Sequence, residues 1–105
     1  MEFEDNNYHP DFLELEKDKP YILTLVNVGG RSHDLVGEQF FSSLIIHQIK
    51  TSGFSVKSYH VESIFLRPNQ KVSIWIVPIK KGEFPFICTL PGHFEDGMEG
   101  TIVIK

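Results

Sequence analysis

Short apolar runs, each closed by a turn-forming segment, recur along the whole chain and limit the folds it can adopt. In residues 72–77 the aliphatic Val72, Ile74 and Ile76 alternate with Ser73 and Trp75. Alternation with a period of two is typical of a β-strand, because successive side chains point to opposite faces of the sheet. Such runs predict strands at residues 12–15, 21–26, 61–66, 72–77, 84–88 and 100–104. Many short strands separated by turn signals predict an all-β antiparallel sandwich or barrel.

The segment 38–50 departs from this strand pattern. Its apolar residues fall close to helical spacing, at Phe40, Phe41, Leu44, Ile45 and Ile49. We therefore expect one short helical or irregular excursion around residues 38–50. No repeat or linker-like stretch divides the sequence, so residues 1–105 are expected to form a single domain.

The charge balance and the lengths of the apolar runs exclude several classes of function. The chain has 14 acidic and 10 basic residues, which argues against nucleic-acid binding because phosphate contacts need clustered lysine and arginine. Its longest apolar candidate, residues 40–49, is interrupted by polar residues and is shorter than the ~20 residues that span a bilayer. We therefore expect no membrane insertion by this chain. The acidic start lacks the positive charge of a secretory signal, so a signal or anchor is expected to be absent or already removed.

The single cysteine, Cys88, opens a loop that also carries His93 and Met98. A further histidine, His33, lies far upstream. Together these residues offer one thiolate, two imidazoles and one thioether, which is the ligand set of a mononuclear blue-copper site. With one cysteine the chain cannot build an iron–sulfur cluster, a zinc ribbon or a binuclear copper centre, because each needs more than one thiolate.

The spacing of these residues suits a metal ion that changes its charge. Cys88 ends a predicted strand and Met98 precedes the closing strand 100–104, so the loop between them is held at both ends. His33 is expected near the end of an earlier strand. Thiolate and thioether favour Cu(I) whereas imidazole suits both oxidation states, so a rigid loop of this kind would hold copper with little rearrangement.

Each of these residues also has a purely structural interpretation. A lone cysteine such as Cys88 is commonly an inert core residue, and Met98 could simply cap the core. The combination of all the donors at this spacing is what favours a metal site. His47 and His60 have no ligand pattern around them, so we expect surface or partly buried histidines there.

The pattern Cys-x4-His-x4-Met, with an upstream asparagine and histidine, resembles the cupredoxin family of type 1 blue copper proteins. The ligand loop is most similar to that of rusticyanin and auracyanin, and the family also includes plastocyanin and azurin. The resemblance implies a Greek-key β-sandwich that binds one copper ion. It implies that His33, Cys88 and His93 are the strong trigonal ligands and that Met98 is the weak axial ligand.

One position departs from the family pattern. The family usually has an asparagine directly after the first histidine, where its side chain ties the two ligand loops together. Here that residue is Asp34, which we expect to face the backbone or hydroxyl of Thr89. An ionised carboxylate there would raise ligand basicity and favour Cu(II).

The resemblance implies a soluble one-electron carrier that cycles copper between Cu(I) and Cu(II) and is not an enzyme. A copper-binding or delivery protein is an alternative, although such proteins tend to expose methionine-rich clusters and this chain has two methionines. A copper enzyme would need further copper sites and a longer chain. An excised copper domain of a membrane-anchored respiratory protein stays open as well.

The expected partner is a redox protein such as a cytochrome or an oxidase, bound transiently by a monomer. Glu95, Asp96 and Glu99 could form an acidic rim that steers a basic partner, although acidic residues in a turn are also often simply solvated. Apolar residues beside His93 could form a small docking patch. The family resemblance implies a periplasmic or otherwise extracytoplasmic location.

Overall fold

The computed structural model describes residues 1–51, 54–56, 61–90 and 98–105, and most of these residues lie in strands. In this part of the chain the strands are β1 (Glu2–Phe3), β2 (Tyr8–His9), β3 (Phe12–Leu15), β4 (Tyr21–Asn27), β5 (His33–Val36), β6 (Leu44–Thr51), β7 (Phe54–Val56), β8 (Ser63–Leu66), β9 (Lys71–Pro78), β10 (Gly82–Ile87) and β11 (Glu99–Ile104). The helix α1 (Glu38–Ser42) lies between β5 and β6. Among the described residues, no helix is both long enough and apolar enough to cross a bilayer.

The strands form two hydrogen-bonded sheets. The first sheet has the strand order β2-β1-β4-β9-β6-β7, and the second has the order β3-β11-β10-β5-β8. Successive strands from β3 to β6, and again from β8 to β10, alternate between the two sheets. This crossing pattern is typical of a sandwich, so the predicted all-β sandwich is confirmed.

Two strand pairs differ from the antiparallel arrangement that we expected. The strand β1 lies parallel to β4, and β3 lies parallel to β11. Both pairs join the beginning of the chain to the body of the sandwich. Alternation along one strand reports which face a residue occupies but not the direction of the neighbouring strand, so the sequence pattern could not predict these pairs.

The hydrophobic core lies between the sheets and is built from the inward positions of each strand. On β9, Val72, Ile74 and Ile76 are buried, as the alternation predicts. The strand β10 contributes Phe84 and Phe86 to the same core. Burying each such side chain contributes about 1.5–3 kcal/mol, so a slip of one residue in register would be costly.

The excursion predicted at residues 38–50 is a helix only over Glu38–Ser42, and the remainder forms β6. β6 pairs with β9, and the register shifts between Ile46 and Gln48, so His47 forms a bulge. The inward positions before and after the bulge therefore differ in phase. Because of this shift, the apolar residues of β6 are spaced like those of a helix. The segment is nevertheless a strand, because it pairs with β9.

Gly100 on β11 lies where the structure has no space for a side chain. A Cβ atom there would lie closer than 3.0 Å to the Phe86 ring and to the backbone oxygen of Asp11. We expect Gly100→Ala to destabilise the fold by about 1–3 kcal/mol, because the ring and the backbone must shift. Chemical denaturation measures this loss. Gly30→Ala is the control, since its Cβ would approach no atom closer than 3.7 Å, and equal stability of the two variants would contradict the expected overpacking.

Candidate metal centre

Cys88 and Met98 lie beside each other at one end of the second sheet. Cys88 directly follows β10 and Met98 directly precedes β11, and these strands pair antiparallel with Ile87 opposite Glu99. The backbone N–H of Cys88 donates a hydrogen bond to the backbone oxygen of Met98 over 3.1 Å. The sheet ladder thus extends one residue past the strands, and it brings the thiol-bearing and thioether-bearing residues to opposite positions.

His33 reaches the same end of the sheet from β5. The strand begins at His33, so the prediction that His33 lies near the end of a strand is wrong. The loop after β4 crosses to the second sheet before the histidine is reached, which is why the histidine opens a new strand. β5 runs antiparallel to β10 with Val36 opposite Ile87, so the start of β5 extends past the end of β10 and lies beside the residues that follow it, including Cys88.

The predicted ligands in the described part of the chain are withdrawn from solvent. His33, Cys88 and Met98 are each 0% exposed. His93 and the rest of the loop 91–97 lie outside the described residues, and the ligand roles of all four residues stay predictions. Within the described ranges, no three His, Cys, Asp or Glu side chains form a cluster that could hold a metal ion. A metal site here would therefore also need the thioether and the loop that carries His93.

The surroundings of Cys88 favour a neutral thiol in the metal-free protein. Burial raises the pKa of the Cys88 thiol above its ordinary value. The backbone N–H groups of Asp34 and Leu90 lower this pKa by hydrogen-bonding to the sulfur, whereas the Asp34 carboxylate raises it. The two N–H groups would stabilise the thiolate form that a metal ligand requires.

Asp34 connects the segment that carries His33 with the segment that carries Cys88. Its Oδ1 accepts a hydrogen bond from the backbone N–H of Thr89 over 2.7 Å, and its Oδ2 accepts one from the Thr89 hydroxyl. Hydrogen bonds to a charged acceptor are stronger than those between neutral groups. The prediction that Asp34 faces the backbone or hydroxyl of Thr89 is confirmed.

Asn27 braces the loop that leads to His33. Its buried amide donates hydrogen bonds to the backbone oxygens of Arg31 and Leu66 over 2.8 Å and 3.0 Å. Its side-chain oxygen accepts the N–H of Gly29 over 2.9 Å. Because a buried and fully partnered amide holds its neighbours in one arrangement, the upstream asparagine of the sequence pattern has a structural purpose here.

Asp5 belongs to the surroundings of the site, although the sequence analysis did not single it out. Its Oδ1 lies 3.0 Å from Nε2 of His33, from which it is separated by 28 positions in the chain. The hydrogen bond with His33, together with backbone hydrogen bonds from Gly30 and Arg31, holds the pKa of Asp5 below its ordinary value. No local pattern marks this residue, because the contact depends on the parallel pairing of β1 with β4.

Tyr8 is a second residue that the sequence analysis missed. Its buried hydroxyl donates a hydrogen bond to the backbone oxygen of Asp34. Its ring packs edge-on against Phe3 and Phe86, with ring centroids 5.2 Å and 4.9 Å apart. Burial raises the pKa of Tyr8, and Cys88 and Asp34 act in the same direction, so the phenol stays protonated. Tyr8 thereby joins the core to the backbone beside the candidate ligands.

Comparison with solved structures identifies the fold as cupredoxin-like. Auracyanin from Roseiflexus castenholzii matches with a TM-score of 0.66 and 16% identity, over 97% of this chain and 90% of that protein. Amicyanin matches with a TM-score of 0.57 and 14% identity, over 100% of this chain and 81% of that protein. At these identities the likeness establishes the fold.

Longer copper enzymes contain a region with the same fold. A multicopper oxidase from Campylobacter jejuni matches with a TM-score of 0.63 and 19% identity, over 89% of this chain and 20% of the oxidase. A copper nitrite reductase from Nitrosomonas europaea matches with a TM-score of 0.66 and 14% identity, over 90% of this chain and 32% of the reductase. The chain thus spans about a fifth to a third of these enzymes. No protein-family model matches the sequence, and no curated protein matches it significantly.

We expect Tyr8→Phe to destabilise the metal-free protein by about 1–3 kcal/mol, because the buried backbone oxygen of Asp34 loses its donor. Tyr21→Phe is the matched control, since the Tyr21 hydroxyl accepts the N–H of Glu16 at an exposed position. Its effect is expected to stay within about 0.5 kcal/mol. Denaturant unfolding of both variants measures the difference, and equal losses would show that the buried hydroxyl contributes no more than the exposed one.

Proposed function

We propose that this protein is a soluble one-electron carrier with one type 1 copper site and no enzymatic activity. In this proposal His33, Cys88 and His93 are the strong ligands and Met98 is the weak axial ligand. The observation that carries the proposal is the convergence of a buried imidazole, a buried thiol and a buried thioether at one end of a cupredoxin-like sandwich.

The chemistry of the donors fits copper better than it fits the common alternatives. Calcium and magnesium need oxygen ligands, whereas the buried donors here are nitrogen and sulfur. Thiolate and thioether are soft ligands, and a combination of two histidines, one cysteine and a distant methionine suits copper in both oxidation states. Bound copper would supply the one-electron couple between Cu(I) and Cu(II).

The contribution of the chain is to keep the donors in place when the charge of the site changes. The hydrogen bond from Cys88 to Met98 fixes the two sides of the ligand loop where it leaves the sheet. Asp34 accepts a hydrogen bond from Thr89, and Asn27 donates hydrogen bonds that hold the loop before His33. Because these contacts are largely buried and involve the backbone, the donors would rearrange little, and the burial of the site would exclude water.

A second candidate function is that of a copper domain within a larger respiratory or oxidase protein. The match of this fold to a fifth of a multicopper oxidase and a third of a nitrite reductase supports it. Such a domain would still pass single electrons, but it would pass them to another site of the same protein. Copper delivery, in which the metal ion leaves the protein, is less well supported because the described donors are fully buried.

The partner in this proposal is a redox protein such as a cytochrome or an oxidase, which a monomer would contact transiently. Phe65 on β8 is 53% exposed and pairs with Asp34, so an apolar side chain lies one strand away from the site. Small apolar contacts of this kind suit short-lived electron-transfer complexes. We propose a periplasmic or otherwise extracytoplasmic location, which the likeness to the blue copper family supports.

Equimolar Cu(II) added to the metal-free protein is expected to produce an intense thiolate-to-copper charge-transfer band and a narrow copper hyperfine splitting in the EPR spectrum. Cys88→Ser is expected to abolish both signals, because it removes the thiolate ligand. His47→Gln is the matched control, since His47 is exposed on β6 and lies outside the proposed site. A pale, tetragonal spectrum, or copper that a mild chelator removes at once, would contradict the electron-carrier proposal.

Asp34→Asn is expected to raise the reduction potential of the copper site, because it removes a negative charge beside Cys88 and so disfavours Cu(II). An increase of roughly tens of millivolts is expected, given that about 59 mV corresponds to a tenfold change in a one-electron equilibrium. Protein-film voltammetry measures the potential. Asp18→Asn is the control, because it removes the same charge from an exposed turn between β3 and β4. Equal potentials in the two variants would refute the proposed influence of Asp34.

A further inference from the structure

The carboxylate of Asp5 lies against a predicted ligand that is otherwise closed off from solvent. Its Oδ1 is 3.0 Å from Nε2 of His33, whose side chain is fully buried, whereas Asp5 itself is 43% exposed. A partly solvated carboxylate therefore shares a hydrogen bond with a fully buried imidazole. This geometry differs from that of an ordinary surface ion pair, in which both partners lie in water.

The pairing of β1 with β4 directs Asp5 to this position. Phe3 lies opposite Asn27 in a parallel register, and the backbone oxygen of Phe3 accepts the N–H groups of Val28 and Gly29 over 2.9 Å and 3.2 Å. The turn that follows β1 is thereby held beside the loop that leads to His33. The position of Asp5 is thus part of the sheet architecture.

Gly29 provides the space into which the carboxylate fits. A Cβ atom at this position would lie closer than 3.0 Å to Oδ1 of Asp5 and 3.1 Å from Nε2 of His33. Any side chain there would push the carboxylate away from the imidazole or displace the ring. The glycine therefore serves the contact between Asp5 and His33 directly.

Arg31 fixes the carboxylate from the solvent side. Its backbone N–H donates to Oδ1 of Asp5 over 3.2 Å, and its Nη2 donates to the backbone oxygen of Asp5 over 3.0 Å. Nη2 also donates to the side chain of Asn6 over 3.2 Å. Both charged side chains of this pair are about half exposed, so the ion pair itself adds little stability. What these bonds achieve is to orient the carboxylate toward His33.

We propose that Asp5 is a positioning residue for the copper site, a proposal that rests on the proposed function. Asp5 accepts the hydrogen bond of the Nε2–H group of His33, which selects the tautomer whose Nδ1 atom can ligate copper. Carboxylates that hold a metal-binding histidine in this way fix the ring and raise its basicity. The negative charge of Asp5 then favours Cu(II) over Cu(I).

Nitrogen NMR of the isotopically labelled, metal-free protein tests the positioning without any copper. We expect His33 to be the Nε2–H tautomer in the wild-type protein and in Asp5→Asn, because asparagine keeps an oxygen acceptor. We expect a mixture of tautomers in Asp5→Ala and in Gly29→Ala, since the first removes the acceptor and the second displaces it. A wild-type Nδ1–H tautomer, or an unchanged tautomer in Asp5→Ala, would overturn the positioning role.

The copper-loaded variants test the effect of the charge. Asp5→Ala and Asp5→Asn should each shift the preference for Cu(II) over Cu(I) toward Cu(I) by about tenfold, which is about 59 mV in reduction potential. Asp18→Asn is the control, because it removes one charge from the exposed turn between β3 and β4. Potentials equal to that of the control, with lowered thermal stability as the only change, would mean that Asp5 merely anchors the chain and would overturn the proposal.

The two readouts separate failure of this proposal from failure of the proposed function. If the wild-type protein forms no thiolate-to-copper band, the proposed function fails and the effect of Asp5 on copper fails with it. If the band forms and Asp5→Ala changes neither the tautomer nor the potential, the function stands and the assignment of Asp5 is wrong.

Discussion

The candidate site depends on the position of β10 between two neighbouring strands. Just after β10, the backbone N–H of Cys88 donates a hydrogen bond to the backbone oxygen of Met98 on the β11 side. The sulfur of Cys88 accepts a hydrogen bond from the backbone N–H of Asp34 on the β5 side. An edge strand could make such contacts on one side only. The register of β10 is in turn held by the burial of Phe84 and Phe86, because a slip of one residue would turn both rings toward solvent. The chemistry of the site therefore depends on core packing several residues away.

The core and the site also share individual residues. The ring of Tyr8 packs against Phe86 in the core, and its hydroxyl holds the backbone of Asp34 beside the candidate ligands. Gly100 allows Phe86 and the backbone of Asp11 to approach β11, and this strand follows Met98 directly. Such shared contacts suit the proposed one-electron centre, whose charge would change while its shape is kept.

The contacts around His33 form two layers that come from different parts of the chain. Asn27 braces the loop before His33 from within, through hydrogen bonds to buried or partly buried backbone oxygens. Asp5 approaches the imidazole from the solvent side and is steadied by Arg31. The inner layer holds the backbone of the loop, whereas the outer layer contacts the imidazole itself.

The sequence by itself determined six of the eleven described strands, because burial of one face imposes an alternation that is visible over a few residues. It also indicated that Cys88 and Met98 lie close together, because both residues flank one loop between two predicted strands. The contact between Asp34 and Thr89 was expected from the family pattern. Only the tertiary structure decided that residues 44–51 form a strand, since the bulge at His47 disguises the alternation. Tertiary structure also decided that Asp5 meets His33 and that Tyr8 meets Asp34. These partners are 28 and 26 positions apart, and sheet pairing at such separations leaves no trace in local periodicity.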